Sequence, residues 1–128
     1  MLKYLTILLI TPGLIWADYG SYPVTRIHSV YDGDTVRVDL ASLPPVVGEN
    51  IPIRLRGIDT PEIKGRCAQE KTLAIVARDR LRQLLQKATI IEARNITRGR
   101  YFRIVADLIL DNNNVADVLL AENLAVKY

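Results

Sequence analysis

Hydrophobic and polar positions change period in a readable order along this chain. Residues 24–31 alternate, with Val24, Arg26 and His28 on one side and Thr25, Ile27 and Ser29 on the other, and residues 36–40 alternate again beyond Asp32-Gly33. That pattern predicts a β-hairpin turning at Asp32-Gly33. Leu43-Pro44-Pro45 and Gly48 mark residues 43–50 as a loop. A third strand is expected over residues 51–58, where Ile51, Ile53 and Leu55 alternate with Pro52, Arg54 and Arg56. Arg54 then faces away from the aliphatic set.

The period lengthens over residues 68–86. Leu73, Ala74, Ala77, Leu81, Leu84 and Leu85 recur at three- and four-residue spacing, which predicts an amphipathic helix with its stripe in the core. Strands follow over residues 89–93 and 101–110. Asp111-Asn112-Asn113-Asn114 reads as a turn that also caps a helix over residues 115–122, Asn123 suits a left-handed helix end, and residues 124–128 form a short terminal strand. The resulting order, β-β-β-α-β-β-α, fits a mainly β, α+β fold: a five-stranded barrel with two appended helices.

The chain has 128 residues, enough for one domain, and 49% hydrophobic content is ample for a core. Seventeen Lys and Arg against 14 Asp and Glu give a net charge of +3, a modest bias toward a polyanionic partner. Arg78, Arg80, Arg82 and Lys87 are read as a solvated helix face. Arg94, Arg98, Arg100 and Arg103 form a second cluster.

Residues 1–17 read as a secretory signal peptide: Lys3 supplies the positive start, an apolar stretch runs to Trp16, and Ala17 is small enough for a cleavage point. The stretch is shorter than the ~20 residues a membrane-spanning helix needs, and Pro12-Gly13 interrupts it. An uncleaved anchor is the alternative. The mature domain is expected over residues 18–128, secreted or periplasmic. Cys67 is the one cysteine, so an internal disulfide is excluded; it is read as a partly buried small apolar residue. His28 is equally alone.

Three clusters carry the chemistry: Asp32-Gly33-Asp34-Thr35, then Arg54 with Asp59-Thr60-Pro61-Glu62, then Arg100-Tyr101-Phe102-Arg103. Carboxylate oxygens suit a hard cation, and guanidinium forks suit a phosphodiester. Asp32-Gly33-Asp34 alone is equally a plain hairpin turn. It is not an EF-hand, because Val36 and Arg37 stand where an oxygen ligand and Gly are required, and the Asp111 segment fails the same test with Val115 and Ala116. Asp59-Thr60-Pro61-Glu62 is more telling. It follows an apolar strand directly, so the strand can deliver Asp59 beside the Asp32 turn.

In this order and at these separations, DGDT, IRLRGIDTPE and RYFR resemble the staphylococcal nuclease (thermonuclease) family, over residues 24–128. The resemblance implies an OB-fold barrel and a calcium-dependent phosphodiesterase that cuts DNA and RNA to 3′-phosphate and 5′-hydroxyl ends. By motif position it implies calcium ligands at Asp34, Asp59 and the Thr60 carbonyl, with Asp32 close by. It places the catalytic glutamate at Glu62, the two phosphate-binding arginines at Arg54 and Arg103, and a nucleotide-pocket tyrosine at Tyr101. A monomer acting on DNA and RNA, without a membrane span once processed, is the expected form. The alternative from another class is a binding module that keeps the barrel without catalysis. A complete set of Asp32, Asp34, Arg54, Asp59, Glu62 and Arg103 favours the enzyme.

Overall fold

The computed structural model describes residues 19–128, with the Phe102 side chain left aside. The expected signal segment lies outside the described residues. A long strand β1 (Tyr22–Asp32) turns into β2 (Thr35–Leu40), followed by a short helix α1 (Pro45–Gly48), β3 (Ile51–Leu55) and a two-residue strand β4 (Ile58–Asp59). After helix α2 (Ala68–Lys87) come β5 (Ile91–Arg98), a 3-10 turn Arg100–Phe102, β6 (Ile104–Leu110), the two-residue β7 (Asn113–Asn114), helix α3 (Val115–Ala121) and β8 (Val126–Lys127). Neighbouring strands run β3-β2-β1-β5-β6-β7, and β3 also pairs with β6 in parallel, Arg54 opposite Val105. That last pairing closes β1, β2, β3, β5 and β6 into a five-stranded barrel. Closure leaves the barrel strands no free edge. Separately, β4 pairs antiparallel with β8, Asp59 opposite Val126.

The core follows from the expected periodicity with instructive exceptions. Val36, Val38, Ile53, Leu55, Leu81, Leu108 and Leu119 are almost fully buried, and truncating a side chain such as Ile53 to Ala costs about 2–5 kcal/mol at such sites. In β1, however, the residues turned toward the core are Tyr22, Val24, Ile27 and Val30, a spacing that strict alternation cannot give. Register shifts between Val24 and Arg26, Ile27 and Ser29, and Val30 and Asp32 supply the extra residues. Such bulges bend and twist the strand, as a small barrel requires.

Several boundaries differ from the sequence reading. The 43–50 loop contains α1, with Pro45 at the helix start, where its missing N–H is no loss; the described residues thus hold this short helix besides the two expected. The expected strand over 51–58 is two strands, because Gly57 adopts φ 76° and turns the chain between Leu55 and Ile58. The next strand begins later and runs longer, Ile91–Arg98 instead of 89–93. Tyr101 and Arg103 lie outside β6, in and after the 3-10 turn, with Tyr101 at φ 57°. On α2, Ala74, Ala77, Leu81 and Leu85 are buried, but Leu73 is 48% exposed and leaves the stripe.

Cys67 is exposed rather than partly buried, and acts as the cap of α2: its Sγ accepts from the Glu70 N–H at 3.4 Å. His28 sits on the barrel exterior, its Nε2 2.6 Å from Asp39 Oδ1. At the C-terminal end, Asn114 caps α3 by accepting from the Ala116 N–H, and Asn123 takes φ 58° as expected. Among the described residues no helix is long and apolar enough to cross a membrane.

Asp111 ties the end of α2 to β6. Its carboxylate accepts from the Ile90 N–H at 2.8 Å and from the Thr89 N–H, and these bonds hold its carboxyl below the ordinary value of 3.8. A lowered folded value means that the stabilisation is present above the unfolded pKa and lost as pH falls through the folded one. Asp111→Asn tolerates the left-handed backbone (φ 46°) while removing the charge. Its melting temperature should fall furthest below wild type near neutral pH, and the gap should close under acid below the ordinary value; a gap independent of pH would contradict this account.

Candidate functional site

The first cluster forms the turn between β1 and β2, with Asp32 paired across it to Thr35. The turn centres on Gly33-Asp34, one residue later than the sequence suggested. A Cβ on Gly33 would meet Ala77 Cβ of α2 at 2.9 Å and Thr60 Cγ2 at 3.1 Å. Glycine therefore lets the turn lie directly against the helix. Asp34 is buried as a result, 6% exposed, and it must find partners. Its Oδ1 accepts from the Thr35 hydroxyl at 3.1 Å, its Oδ2 from the Thr60 N–H at 3.0 Å, and its carbonyl from the Leu55 N–H at 2.8 Å.

Arg54 enters from β3, in register with Thr35. Its Nη1 lies 2.9 Å from Asp34 Oδ2, and its Nη2 donates to Asp59 Oδ1 at 3.2 Å. One guanidinium thus bridges a carboxylate of the barrel and one of the β4–β8 pair. The Asp34 contact has the distance of an ion pair without the alignment of a hydrogen bond. Arg54 Nη1 and Thr60 Oγ1 are the buried side-chain polar atoms left without a hydrogen-bond partner among the described residues. Such atoms are rare in native folds and call for an explanation, and both lie here.

Asp32 is close by. Its Oδ1 accepts from the Ile63 N–H at 3.2 Å, which fastens the loop after Thr60 to the turn. Burial pushes its carboxyl above the usual range, and the neighbouring Asp34 charge acts in the same direction; the Ile63 bond and Arg54 oppose them. Positive charge near this turn would relieve both carboxylates.

Two clefts meet at the Arg54–Asp59 bridge, each about 380 Å³. One is acidic, lined by Asp59, Thr60, Glu62, Glu70, Asn123 and Val126. The Glu62 side chain is exposed there and makes no hydrogen bond with another described residue. Arg54, Arg100, Tyr101, Arg103 and Tyr128 line the other, basic cleft. The candidate site residues therefore gather in one place: Asp32, Asp34, Arg54, Asp59 and Thr60 at its centre, Glu62 on one side, Tyr101 and Arg103 on the other.

The family model described as "Staphylococcal nuclease homologue" matches residues 52–128, more than half of the chain. The chain belongs to the staphylococcal nuclease homologue family. No match is found among curated proteins. Membership marks the domain as nuclease-like and suited to nucleic acid, in keeping with its OB-type barrel. The match begins at Pro52, so the Asp32–Asp34 turn lies before it; the pairing of β2 with β3 is what joins that turn to the matched part of this staphylococcal nuclease homologue.

Sequence reasoning missed Tyr128 and Glu70. Tyr128 is 91% exposed, its ring centroid 6.0 Å from Arg54 Cζ, and its N–H donates to the Gly57 carbonyl at 3.0 Å. The spacing of Leu124, Val126 and Tyr128 was the available signal, but only the β4–β8 pairing brings that side to Arg54. Glu70 was hidden by its place in the first turn of a helix, where an acidic residue is ordinary.

The two carboxylates that hold Arg54 differ in burial, and that difference sets an expectation. The Asp34 side chain is 9% exposed and that of Asp59 50%. Asp34→Ala leaves Arg54 and the Thr60 N–H with a buried deficit and should destabilise the fold by about 3–5 kcal/mol, whereas Asp59→Ala removes a half-exposed pair and should change stability by about 1 kcal/mol or less. Denaturant unfolding of the two variants decides this, and equal losses would show that Asp34 is not the structural anchor.

Proposed function

We propose that this chain is a calcium-dependent nuclease that hydrolyses DNA and RNA without sequence preference, leaving 3′-phosphate and 5′-hydroxyl ends. The observation that carries the reading is the convergence of Asp34 and Asp59 on one guanidinium, at the junction of an acidic and a basic cleft. Two carboxylates that approach a single cationic group also approach a position a divalent cation can share. No group of three or more His, Cys, Asp or Glu side chains among the described residues is placed to hold a metal, so the third ligand would come from the main chain. Asp34, Asp59 and the Thr60 carbonyl form that set, with Asp32 nearby, and the hard-oxygen chemistry fits calcium. The orphaned Thr60 Oγ1 is a further oxygen in the same place.

Calcium, when bound, supplies positive charge against the negative charge that builds on the phosphoryl oxygens. The chain's own groups do the rest. Arg54 and Arg103 flank the basic cleft and clamp the phosphodiester, and Tyr101 lines its floor against the nucleotide. Glu62, its side chain exposed and without a hydrogen-bond partner among the described residues, accepts the proton of the attacking water from the opposite cleft. Opposite-sign clefts separate base and clamp, so the carboxylate need not be neutralised by the arginines. On the same reading the precursor carries the signal segment, and the mature enzyme is a monomer outside the cytoplasm that starts near Asp18; mass spectrometry of exported protein checks that start.

Purified protein should digest single-stranded DNA with calcium and stop when a chelator is added, and undiminished cleavage in excess chelator would remove the metal from the mechanism. In the same assay Glu62→Gln should lower kcat by orders of magnitude with little change in substrate affinity. Arg54→Lys and Arg103→Lys should each lose on the order of 10²-fold, because Lys keeps the charge without the bidentate fork. A binding module would instead retain nucleic acid without cutting it.

A further inference from the structure

We propose that Glu70 is a positioning residue of this nuclease, holding the loop that carries Glu62 by covering Gly65. The inference rests on the nuclease reading and adds a residue to it. The loop after Thr60 is fastened at three points. Asp34 Oδ2 accepts from the Thr60 N–H at 3.0 Å, Asp32 Oδ1 accepts from the Ile63 N–H at 3.2 Å, and the Gly65 N–H donates to the Glu62 carbonyl at 2.9 Å. The third bond closes a tight turn whose first residue is Glu62 itself. Asp32 holds that turn from the barrel through Ile63, and a second element covers its end at Gly65.

Glu70 does so from α2. A Cβ on Gly65 would lie 2.6 Å from Glu70 Cδ and 2.8 Å from both Cγ and Oε2. The carboxyl group of Glu70 therefore rests directly on the Gly65 backbone, and Gly65 is buried beneath it. Gly65 is not among the residues with positive φ, so the turn does not demand glycine for its dihedral angles. What a side chain at Gly65 would meet is the Glu70 side chain, which it would have to displace. The Glu70 main chain is fixed at the helix start by its N–H to Cys67 Sγ, and its side chain lines the same cleft as Glu62. A sequence spacing of five residues thus becomes a clamp between the first turn of a long helix and the turn that aims the base. A misplacement of about 1 Å in such a group costs on the order of 10² in rate.

The test is a set of variants of the whole chain, read by nuclease kinetics and by amide exchange at Ile63 and Gly65. Glu70→Ala should lower kcat on single-stranded DNA at least tenfold with KM nearly unchanged, and should speed exchange of both amides. Glu70→Gln keeps the shape of the clamp and should restore kcat to within about threefold of wild type. Gly65→Ala should match Glu70→Ala, and should add little further loss when combined with it, since the space is then already vacated. Additive losses in the double variant would overturn the clamp, as would a Glu70→Ala enzyme with wild-type kcat and exchange; in that second case the nuclease reading stands. A wild-type protein that cuts no nucleic acid overturns the nuclease reading and the positioning role with it, and Glu70-dependent exchange would then show a clamp without a catalytic base to serve.

Discussion

The Arg54 guanidinium, set between Asp34 and Asp59, is the constraint around which the functional surface is organised. Asp34 belongs to the barrel and is buried in it; Asp59 belongs to a two-residue strand that pairs only with β8. A single cationic side chain spans the two, 2.9 Å from one and 3.2 Å from the other. Burying Arg54 and Asp34 in this way is expensive unless each is matched. Matching is complete on the Asp34 side, through Thr35 and the Thr60 N–H, and incomplete at Arg54 Nη1 and Thr60 Oγ1. A phosphate oxygen would accept from Arg54 Nη1 and a cation would take Thr60 Oγ1 as a ligand, so on the proposed function stability and binding are coupled at this point.

Barrel closure determines where that junction lies. The parallel pairing of β3 with β6 puts Arg54 beside Val105, and the hairpin between β5 and β6 carries Tyr101 and Arg103 over the same end of the barrel. Antiparallel pairing of β2 with β3 carries the Asp32–Asp34 turn there too. Neither pairing is local. An OB-type barrel thus gathers residues from 32 to 128 at one end, and the site cannot exist before the barrel closes. Folding of such non-local β pairings is intrinsically slower than that of helical bundles.

How much of this was legible follows from which signals are local. The α2 helix, the hairpin and the Asn114 cap were readable because period and capping chemistry lie within a few residues of each other. The turn at Gly57 was not, since an apolar run with a single Gly reads as continuous strand until φ is known. Strict alternation failed in β1, because each bulge resets the inward face and no composition marks it. The site residues were legible as an ordered set of motifs, and the structure adds the contact that motifs cannot encode: Arg54 touching both carboxylates. Cys67 was misplaced because its residue type set the expectation, and Leu73 because its spacing did. Periodicity assigns a face to a residue, while burial depends on whether another element covers that part of the helix.

The two halves of the surface rest on unequal foundations, and function depends on the weaker one. Asp34, in the β1–β2 turn, and Arg54, on β3, are backed by barrel strands with their ladders of hydrogen bonds and by a buried core. Asp59, Glu62 and Tyr128 stand on β4, the following loop and β8, whose ladder is two residues long. That outer half is held by a short set of ties: the Tyr128 N–H to the Gly57 carbonyl, the Leu124 N–H to the Leu119 carbonyl, Ala125 buried against the core, and Arg80 reaching Glu122 at 2.9 Å to couple α2 to α3. Elements with few ladder bonds open at lower free energy than the core. On the proposed function, a polyanion in the basic cleft would contact Arg54 from the barrel and Tyr128 from the outer half together. Its binding energy therefore falls on the junction, and ligand and β4–β8 pairing stabilise each other by mass action on the closed form.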